Sequence, residues 1–353
     1  MDYHYHYHYH HYHHHHHNII MSFLAVALKK PNGTSYGWTN VLPSPSDGWI
    51  QEDDVNVWIR HMMSRHPYRN WLFYNDDEPD NEKGTNVHSR GAHAKGVVVW
   101  SENVIGWLIH SVPNYPERSS RDLCFPDILK SQLIYGQSFC YIEIRYHSST
   151  LRSILSQLKK MDAHVYHEHH EPHNDNKDDK ESDDEKYEKD ENNNIVNVCK
   201  MGENIVHLSK HSKWGKDLYE DFICDYINEN ILCETWAKPS IPSSPRVKNV
   251  KTCRWSDVEY STTNDHSKYA VSMNQESPWV FIGDINRMES QFRRGGGGLL
   301  IKNIDLWTRM NEIIVSFTEI HQNPNFCKKP EVRKRWWEYF ECFQCFQCFT
   351  CEK

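Results

Sequence analysis

The sequence predicts an α/β protein with mixed (α+β) sheets, built as two sheet-plus-helix halves with one site at their interface. Three observations carry this. Short apolar runs bounded by turn residues recur as strands, GVVVW and IGWLIHS most clearly. Longer runs such as SSTLRSILSQLKKM carry apolar residues at helical spacing. A strand-turn-strand unit opened by His-x-Lys occurs twice, about half the chain apart, at His93-Ala94-Lys95 and His266-Ser267-Lys268. A shared chemical unit without a short repeat suggests a pseudo-dimer within one polypeptide.

The chain divides by composition. Residues 1–18 are a low-complexity His/Tyr tract to which no structure is assigned. Residues 19–161 form the first half. Its apolar start at 19–28 reads as a first strand rather than a signal peptide, with PNGTSYG as the following turn. A helix is expected to start at 127–130, a strand at 138–145, and a closing helix over SSTLRSILSQLKKM through Leu151, Ile154, Leu155 and Leu158. Residues 162–194 are an acidic insert with almost no apolar content and are expected to be disordered or a surface loop. Residues 195–320 form the second half. An amphipathic helix is expected over 217–231, with Leu218, Phe222, Tyr226 and Ile227 on one side, then a strand over 231–236. The second His-x-Lys unit, a glycine run and a helix over 306–317 follow. Residues 321–353 are a Cys-rich tail.

Charge is uneven. The formal net charge of −8 is matched by the −8 carried by 168–191 alone, with twelve acidic and four basic side chains, so the rest of the chain is balanced. A solvated acidic loop of this kind leaves room for a locally basic groove elsewhere. No stretch approaches the ~20 apolar residues that span a bilayer, so no membrane partner is expected. Six of the eleven cysteines lie in the body and suit a disulfide-bearing secreted or lumenal protein. Asn32-Gly33-Thr34 is an N-glycosylation sequon.

The two motifs point to a particular chemistry. Side chains at i and i+2 of an extended strand share a face, so each His projects with its Lys. Two units facing each other place two imidazoles and two ammonium groups around one anion. The lysines would neutralise a phosphodiester and stabilise the developing pentacoordinate phosphorus. One neutral His would attack phosphorus, giving a phosphohistidine. The other, protonated, would donate to the leaving alkoxide and then activate water. Mildly acidic pH favours one imidazole of each kind if both titrate near the unperturbed ~6.5. Catalytic candidates are therefore His93, Lys95, His266 and Lys268, with no metal ligand and no cofactor assigned. The turns after the motif strands hold His110, Asn114, Asp284 and Asn286, candidates to orient an imidazole or a phosphate; Glu289 is a further one. Arg287, Arg293 and Arg294, with Lys302, are candidates for holding a DNA backbone. The glycines at 295–298 read as a flexible loop, or as bare backbone for a phosphate. Trp100, Trp107 and Trp279 read as core. His211-Ser212-Lys213 repeats the motif spacing but precedes a helix, so it reads as a structural loop; a local site of His207 and His211 is the alternative.

The segments GAHAKGVVVW, GWLIHSVPNYP, YGQSFCYI, LCETW, DHSKYAVS and WVFIGDINRMESQFRRGGG, in that order, resemble the signatures of the deoxyribonuclease II family over roughly residues 20–320. That resemblance implies a phospholipase D-like fold with one site between two halves. It implies cleavage of double-stranded DNA, without sequence preference or metal, at acid pH, leaving 3′-phosphate and 5′-hydroxyl ends. It implies a secreted or lysosomal protein; a homodimer is compatible with it. His93, Lys95, His266 and Lys268 fall on the family's catalytic motifs. Ser101 stands where the family often has Asp, and no cysteine precedes Cys124. Cys342, Cys345, Cys348 and Cys351 have metal-ligand spacing, but the FQC/FTC triplets read as low complexity. Two alternative readings are a catalytically impaired secreted nucleic-acid-binding or host-interaction protein of the same fold, and a phospholipase D-like phosphodiesterase.

Overall fold

A computed structural model describes residues 19–76, 91–117, 123–171, 195–236, 238 and 240–319. The expectations for 1–18, 172–194 and 321–353 fall outside the described residues.

The first sheet comprises β1 (Met21–Lys29), β2 (Tyr36–Leu42), β3 (Ile50–Glu52), β4 (Asn70–Tyr74), β5 (Gly96–Trp100), β6 (Val104–His110), β7 (Gln137–Arg145) and β8 (Val165–His169). Helix α1 (Val55–Met63) and helix α2 (Ser148–Met161) belong to the same stretch of chain. The second sheet comprises β9 (Val196–Gly202), β10 (Ile205–Lys210), β11 (Ile231–Glu234), β12 (Val247–Trp255), β13 (Val258–Ser261), β14 (Tyr269–Ser272), β15 (Trp279–Gly283), β16 (Gly296–Lys302) and β17 (Ile314–Phe317). Its helices are α3 (Cys224–Ile227) and α4 (Ile304–Glu312).

The strand orders match. The first sheet runs β3-β2-β1-β7-β6-β5-β4-β8, and the second, read from its other end, β9-β10-β16-β15-β14-β11-β12-β13. In each, the strand after the motif (β5, β14) pairs with the next (β6, β15), which pairs with a third (β7, β16), then a fourth (β1, β10). The match breaks at one end, where β4 pairs β8 antiparallel but β11 pairs β12 parallel.

Strand alternation explains the layering. In β1, Leu24, Val26 and Leu28 enter a core shared with Val271, Ile282, Leu299 and Ile301 of the second sheet. Phe23, Ala25 and Ala27 face the other way, onto α1. Likewise Ala270, Phe281 and Leu300 turn away from the shared core, towards Phe222 and Ile223. Each sheet is buried on both faces, which is why the strands read as continuous apolar runs. Helix α1 is capped by Asp54, whose carboxylate accepts from Asn56 N at 2.9 Å, and it buries Val55, Trp58, Ile59, Met62 and Met63 at helical spacing. Helix α2 packs on β9 and β10, and α4 reaches β2, so each half lends a helix to the other.

Several elements differ from expectation. The segment 127–130 is not a helix start. Phe125 and Ile128 are drawn into the core, Ile128 N donates to Asn56 Oδ1 at 2.9 Å, and only a short turn, Lys130–Gln132, follows. The 217–231 helix is shorter, a π turn over Tyr219–Ile223 leading into α3, and Asn228 in the left-handed region (φ 55°) stops it. The helix over 306–317 ends at Glu312. The β-branched Ile314 and Val315 instead start β17, which pairs with β12. The acidic insert begins later than composition suggests. Strand β8 lies inside 162–194 and pairs with β4, anchored by the buried Tyr166. The six body cysteines, Cys124, Cys140, Cys199, Cys224, Cys233 and Cys253, are free thiols, so the expected disulfides are not formed among the described residues. No helix among those residues is long and apolar enough to cross a membrane.

The glycine run is not a flexible loop. Gly296–Gly298 lie in β16, and 295–298 are buried. A Cβ at Gly295 would overlap the Met161 carbonyl, and one at Gly297 the Leu208 carbonyl. These glycines let backbones approach one another, and protein atoms fill the space a phosphate would need.

Candidate active site

Both motifs occupy extended segments just before a strand, His93 to Lys95 before β5 and His266 to Lys268 before β14. Each is held at two equivalent points. Lys95 O accepts from His110 N at 3.2 Å, and Lys268 O accepts from Gly283 N at 3.0 Å. His93 N donates to Gly295 O at 2.8 Å, and His266 N donates to Gly136 O at 2.9 Å. The second pair crosses over: each motif histidine is pinned by a glycine carbonyl of the opposite sheet. The sequence folds this way because Gly136 and Gly295 lead into β7 and β16, the matched central strands.

The surroundings of the two histidines differ. His93 Nδ1 lies 2.5 Å from the Asp284 carbonyl, which can only accept, so that nitrogen carries a proton. His93 Nε2 lies 3.4 Å from Asp76 Oδ2, and Lys95 Nζ lies 2.8 Å from Asp76 Oδ1. The Arg294 guanidinium is 3.7 Å from the same carboxylate and donates to the Ala92 carbonyl at 2.8 Å. Burial alone would raise the Asp76 carboxyl, but Lys95, His93 and Arg294 hold it well below the usual range. Burial and the Lys95 cation pull His93 well below the ordinary histidine value, while Asp76 pulls it up.

Among the described residues no carboxylate lies within ion-pair distance of His266. Tyr135 stacks on its ring at 3.9 Å with 12° between planes, and Trp236 meets it edge-on at 4.8 Å. Its Nε2 is buried with no hydrogen-bond partner among the described residues. Burial, then Lys268 and Lys95, push its pKa down to about 3. Lys268 Nζ donates to the His266 carbonyl, and burial and Lys95 lower it to about 8. Lys95 thus acts on both His266 and Lys268, and Lys268 acts on His93. Each motif therefore lies close enough to feel the other's cation.

The model of the deoxyribonuclease II family matches residues 52–320. The chain belongs to the deoxyribonuclease II family. It is accordingly a deoxyribonuclease, a hydrolase with DNA as substrate. It is 27% identical to cell-death-related nuclease 7 of Caenorhabditis elegans, over 80% of this chain and 79% of that one. It is 30% identical to plancitoxin-1 of Acanthaster planci over 67% of each chain, and 28% identical to mouse (Mus musculus) deoxyribonuclease-2-beta over 76% of each.

The other sequence candidates of this deoxyribonuclease fall in varied places. Asp284 does meet the opposite histidine, but through its main-chain carbonyl. Its carboxylate accepts from Gly297 N at 2.9 Å and is raised to about 7, by burial above all. His110 is buried, and burial followed by Lys95 lowers it to about 3; its contribution to the motif is its backbone N–H to Lys95. Asn114 takes a left-handed conformation (φ 53°), and among the described residues neither its Oδ1 nor that of Asn286 has a hydrogen-bond partner. Arg293 is exposed, as a DNA contact requires. Arg287 is not placed to hold DNA. It is 1% exposed, and its guanidinium binds Asp217 at 2.9 Å, the Ile241 and Pro242 carbonyls and Asn249. Spacing beside a motif suggests a surface charge, but the buried Asp217 draws Arg287 inward. Arg294 likewise turns inward to Asp76 and the motif-one backbone. The motif-like His211-Ser212-Lys213 is a cap, with His211 Nδ1 accepting from Lys213 N at 3.0 Å.

Sequence reasoning missed Asp76, Tyr135, Trp236 and Glu234. Glu234 is buried, with both carboxyl oxygens unpartnered among the described residues, and burial pushes it well above the ordinary glutamate value. Asp76 had a signal, an acid two residues past the apolar run WLFY. Tyr135 and Trp236 stand in the family-like segments YGQSFCYI and LCETW, but only the fold brings them to His266.

Proposed function

We propose that this deoxyribonuclease is a metal-independent acid endonuclease that cleaves through a phosphohistidine and leaves 3′-phosphate ends. The observation that carries this reading is the crossed anchoring of the two motif histidines on glycine carbonyls of the opposite sheets, with Lys95 acting on both motifs. It supports the phospholipase D-like arrangement that the sequence resemblance implies.

The difference between the histidines supports an assignment of roles. His266 Nε2 is neutral, unpartnered and held by aromatic stacking, as a nucleophile must be. It attacks phosphorus while Lys95 and Lys268 balance the equatorial oxygens. His93 Nε2 faces Asp76, which favours its protonated form once the phosphate anion offsets the Lys95 field. It donates that proton to the departing 5′ oxygen, and the P–O5′ bond breaks as the P–N bond forms. His93 then takes a proton from water, the water oxygen attacks phosphorus, and His266 leaves with the 3′-phosphate product released. Two cations at the pocket do the charge work that a metal does elsewhere.

Acid preference then has causes beyond the imidazoles. Asp284 titrates at about 7 and Lys268 at about 8. At pH 5 Asp284 is neutral and Lys268 is charged, so the site attracts phosphate. As pH rises through 7 and 8, a negative charge appears and a positive one is lost. Asp284→Asn keeps the neutral form at all pH. It is expected to move the alkaline limb of kcat/KM upward by about one pH unit with little change at pH 5. An unmoved limb contradicts the role. The same chemistry fits an acidic lysosomal or extracellular setting.

The test of the reading is plasmid nicking at pH 5 and pH 7.5 in chelator. Nicking at pH 5 that is undiminished by chelator, with ends that a polymerase extends only after phosphatase treatment, is expected. A requirement for divalent cation, or 3′-hydroxyl ends, overturns it.

A further inference from the structure

Two buried lysines outside the motifs occupy matching places in the two sheets. Lys29 ends β1 and Lys210 ends β10, and they are 1% and 0% exposed. Lys29 Nζ donates to the carbonyls of Lys30 at 2.8 Å, Gly33 at 2.8 Å and Leu133 at 3.0 Å. Lys210 Nζ donates to the carbonyls of Gln291 at 2.9 Å, Phe292 at 3.3 Å and Arg294 at 2.5 Å. A lysine ammonium has three protons, and each is fully used on main-chain oxygen. Neither ammonium lies within ion-pair distance of a carboxylate among the described residues. Charged lysines are seldom buried this way.

What these lysines hold explains their cost. The loop gathered by Lys29 runs from Leu133 through Tyr135 to Gly136. Tyr135 stacks on His266, and the Gly136 carbonyl accepts the His266 N–H. The loop gathered by Lys210 runs from Gln291 to Arg294 and Gly295. Arg294 faces Asp76, and the Gly295 carbonyl accepts the His93 N–H. We propose that Lys29 and Lys210 are positioning residues for the two motif histidines, each fixing the loop that grips the histidine of the opposite half. Lys29 serves His266, and Lys210 serves His93. The proposal rests on the two-histidine reading above. Burial also lowers both ammonium groups to about 8, with Asp265 opposing this at Lys29 and Asp217 and Asp284 at Lys210. The fold keeps them charged at acid pH, where the pocket works.

The experiment compares Lys29→Met, Lys210→Met and the milder Lys29→Gln and Lys210→Gln with wild type. It follows steady-state DNA cleavage, thermal unfolding and the ring signals of ¹⁵N-labelled histidine. Folded Met variants are expected to lose about a hundredfold in kcat, with KM changed less than about threefold. Lys210→Met is expected to shift the His93 ring signals and leave those of His266, and Lys29→Met the reverse. Should a Met variant not fold, the Gln variant, which keeps two donors, is expected to fold and lose about tenfold in kcat. Unchanged kcat in a folded variant, or equal disturbance of both histidines by either lysine, overturns the proposal. His93→Ala and His266→Ala are run alongside. If they cleave normally, the two-histidine reading fails and takes this inference with it. If they are inactive while the lysine variants are not, only this inference fails.

Discussion

His266→Ala is expected to abolish DNA cleavage, with a loss of about 10⁴-fold or more, and His93→Ala to lose about 10²–10⁴-fold. The fold should survive both. His266 sits 9% exposed between Tyr135 and Trp236, with Nε2 unpaired, so its removal orphans no partner at that nitrogen. His93 gives up one hydrogen bond to the Asp284 carbonyl, while Asp76 keeps Lys95 and Arg294. The two variants should part on a substrate with a good leaving group, such as a p-nitrophenyl phosphodiester. Nitrophenolate needs no proton to depart. His93→Ala should therefore recover much of the first step, seen as a burst of nitrophenolate, whereas His266→Ala stays inactive because nothing attacks phosphorus. Recovery in the His266 variant instead would exchange the assigned roles, and full DNA cleavage by either variant would remove both.

Lys95→Met and Lys268→Met are each expected to cost about 10²–10³-fold in kcat, because each removes a cation from where charge develops on phosphorus. Their effects on stability should differ. Lys95 Nζ is 2.8 Å from the buried Asp76 carboxylate, so its loss leaves that charge to Arg294 and His93 alone. A destabilisation of about 3 kcal/mol follows, from a buried charge deprived of its main partner. Lys268 has no carboxylate within ion-pair distance among the described residues and bonds to its own motif backbone. Its removal should change stability far less. Adding Asp76→Asn to Lys95→Met should restore stability without restoring cleavage. Urea unfolding and steady-state kinetics on the same samples separate the two effects. A double variant that regains activity would place Lys95 in the fold rather than in the reaction.

Much of this was legible in the sequence because strands buried on both faces leave continuous apolar runs. GVVVW became β5 and WVFIG β15, and the motifs lie directly before β5 and β14. Helix α2 was readable from its spacing. What was not legible involved long-range partners. The His93 contact with Asp284 spans 191 positions, and the Arg294 contacts with Gly91 and Ala92 span 203 and 202. Nothing local distinguishes Arg293, which is exposed, from Arg287, which a buried Asp217 has claimed. The glycines at 295–298 look permissive in sequence, yet in the fold they mark crowding, because Met161 and Leu208 carbonyls press against them. The histidine pKa values also defied their ordinary range. Burial and neighbouring lysines depress both, so mildly acidic pH alone does not charge one of them.

The most direct measurement is a crystal structure of the enzyme with orthovanadate, which mimics pentacoordinate phosphorus. One vanadium is expected, bonded to His266 Nε2, with His93 Nε2 on the opposite apical oxygen and Lys95 and Lys268 on the equatorial ones. Vanadate bound by one motif alone, or at a site away from both histidines, would contradict the shared pocket.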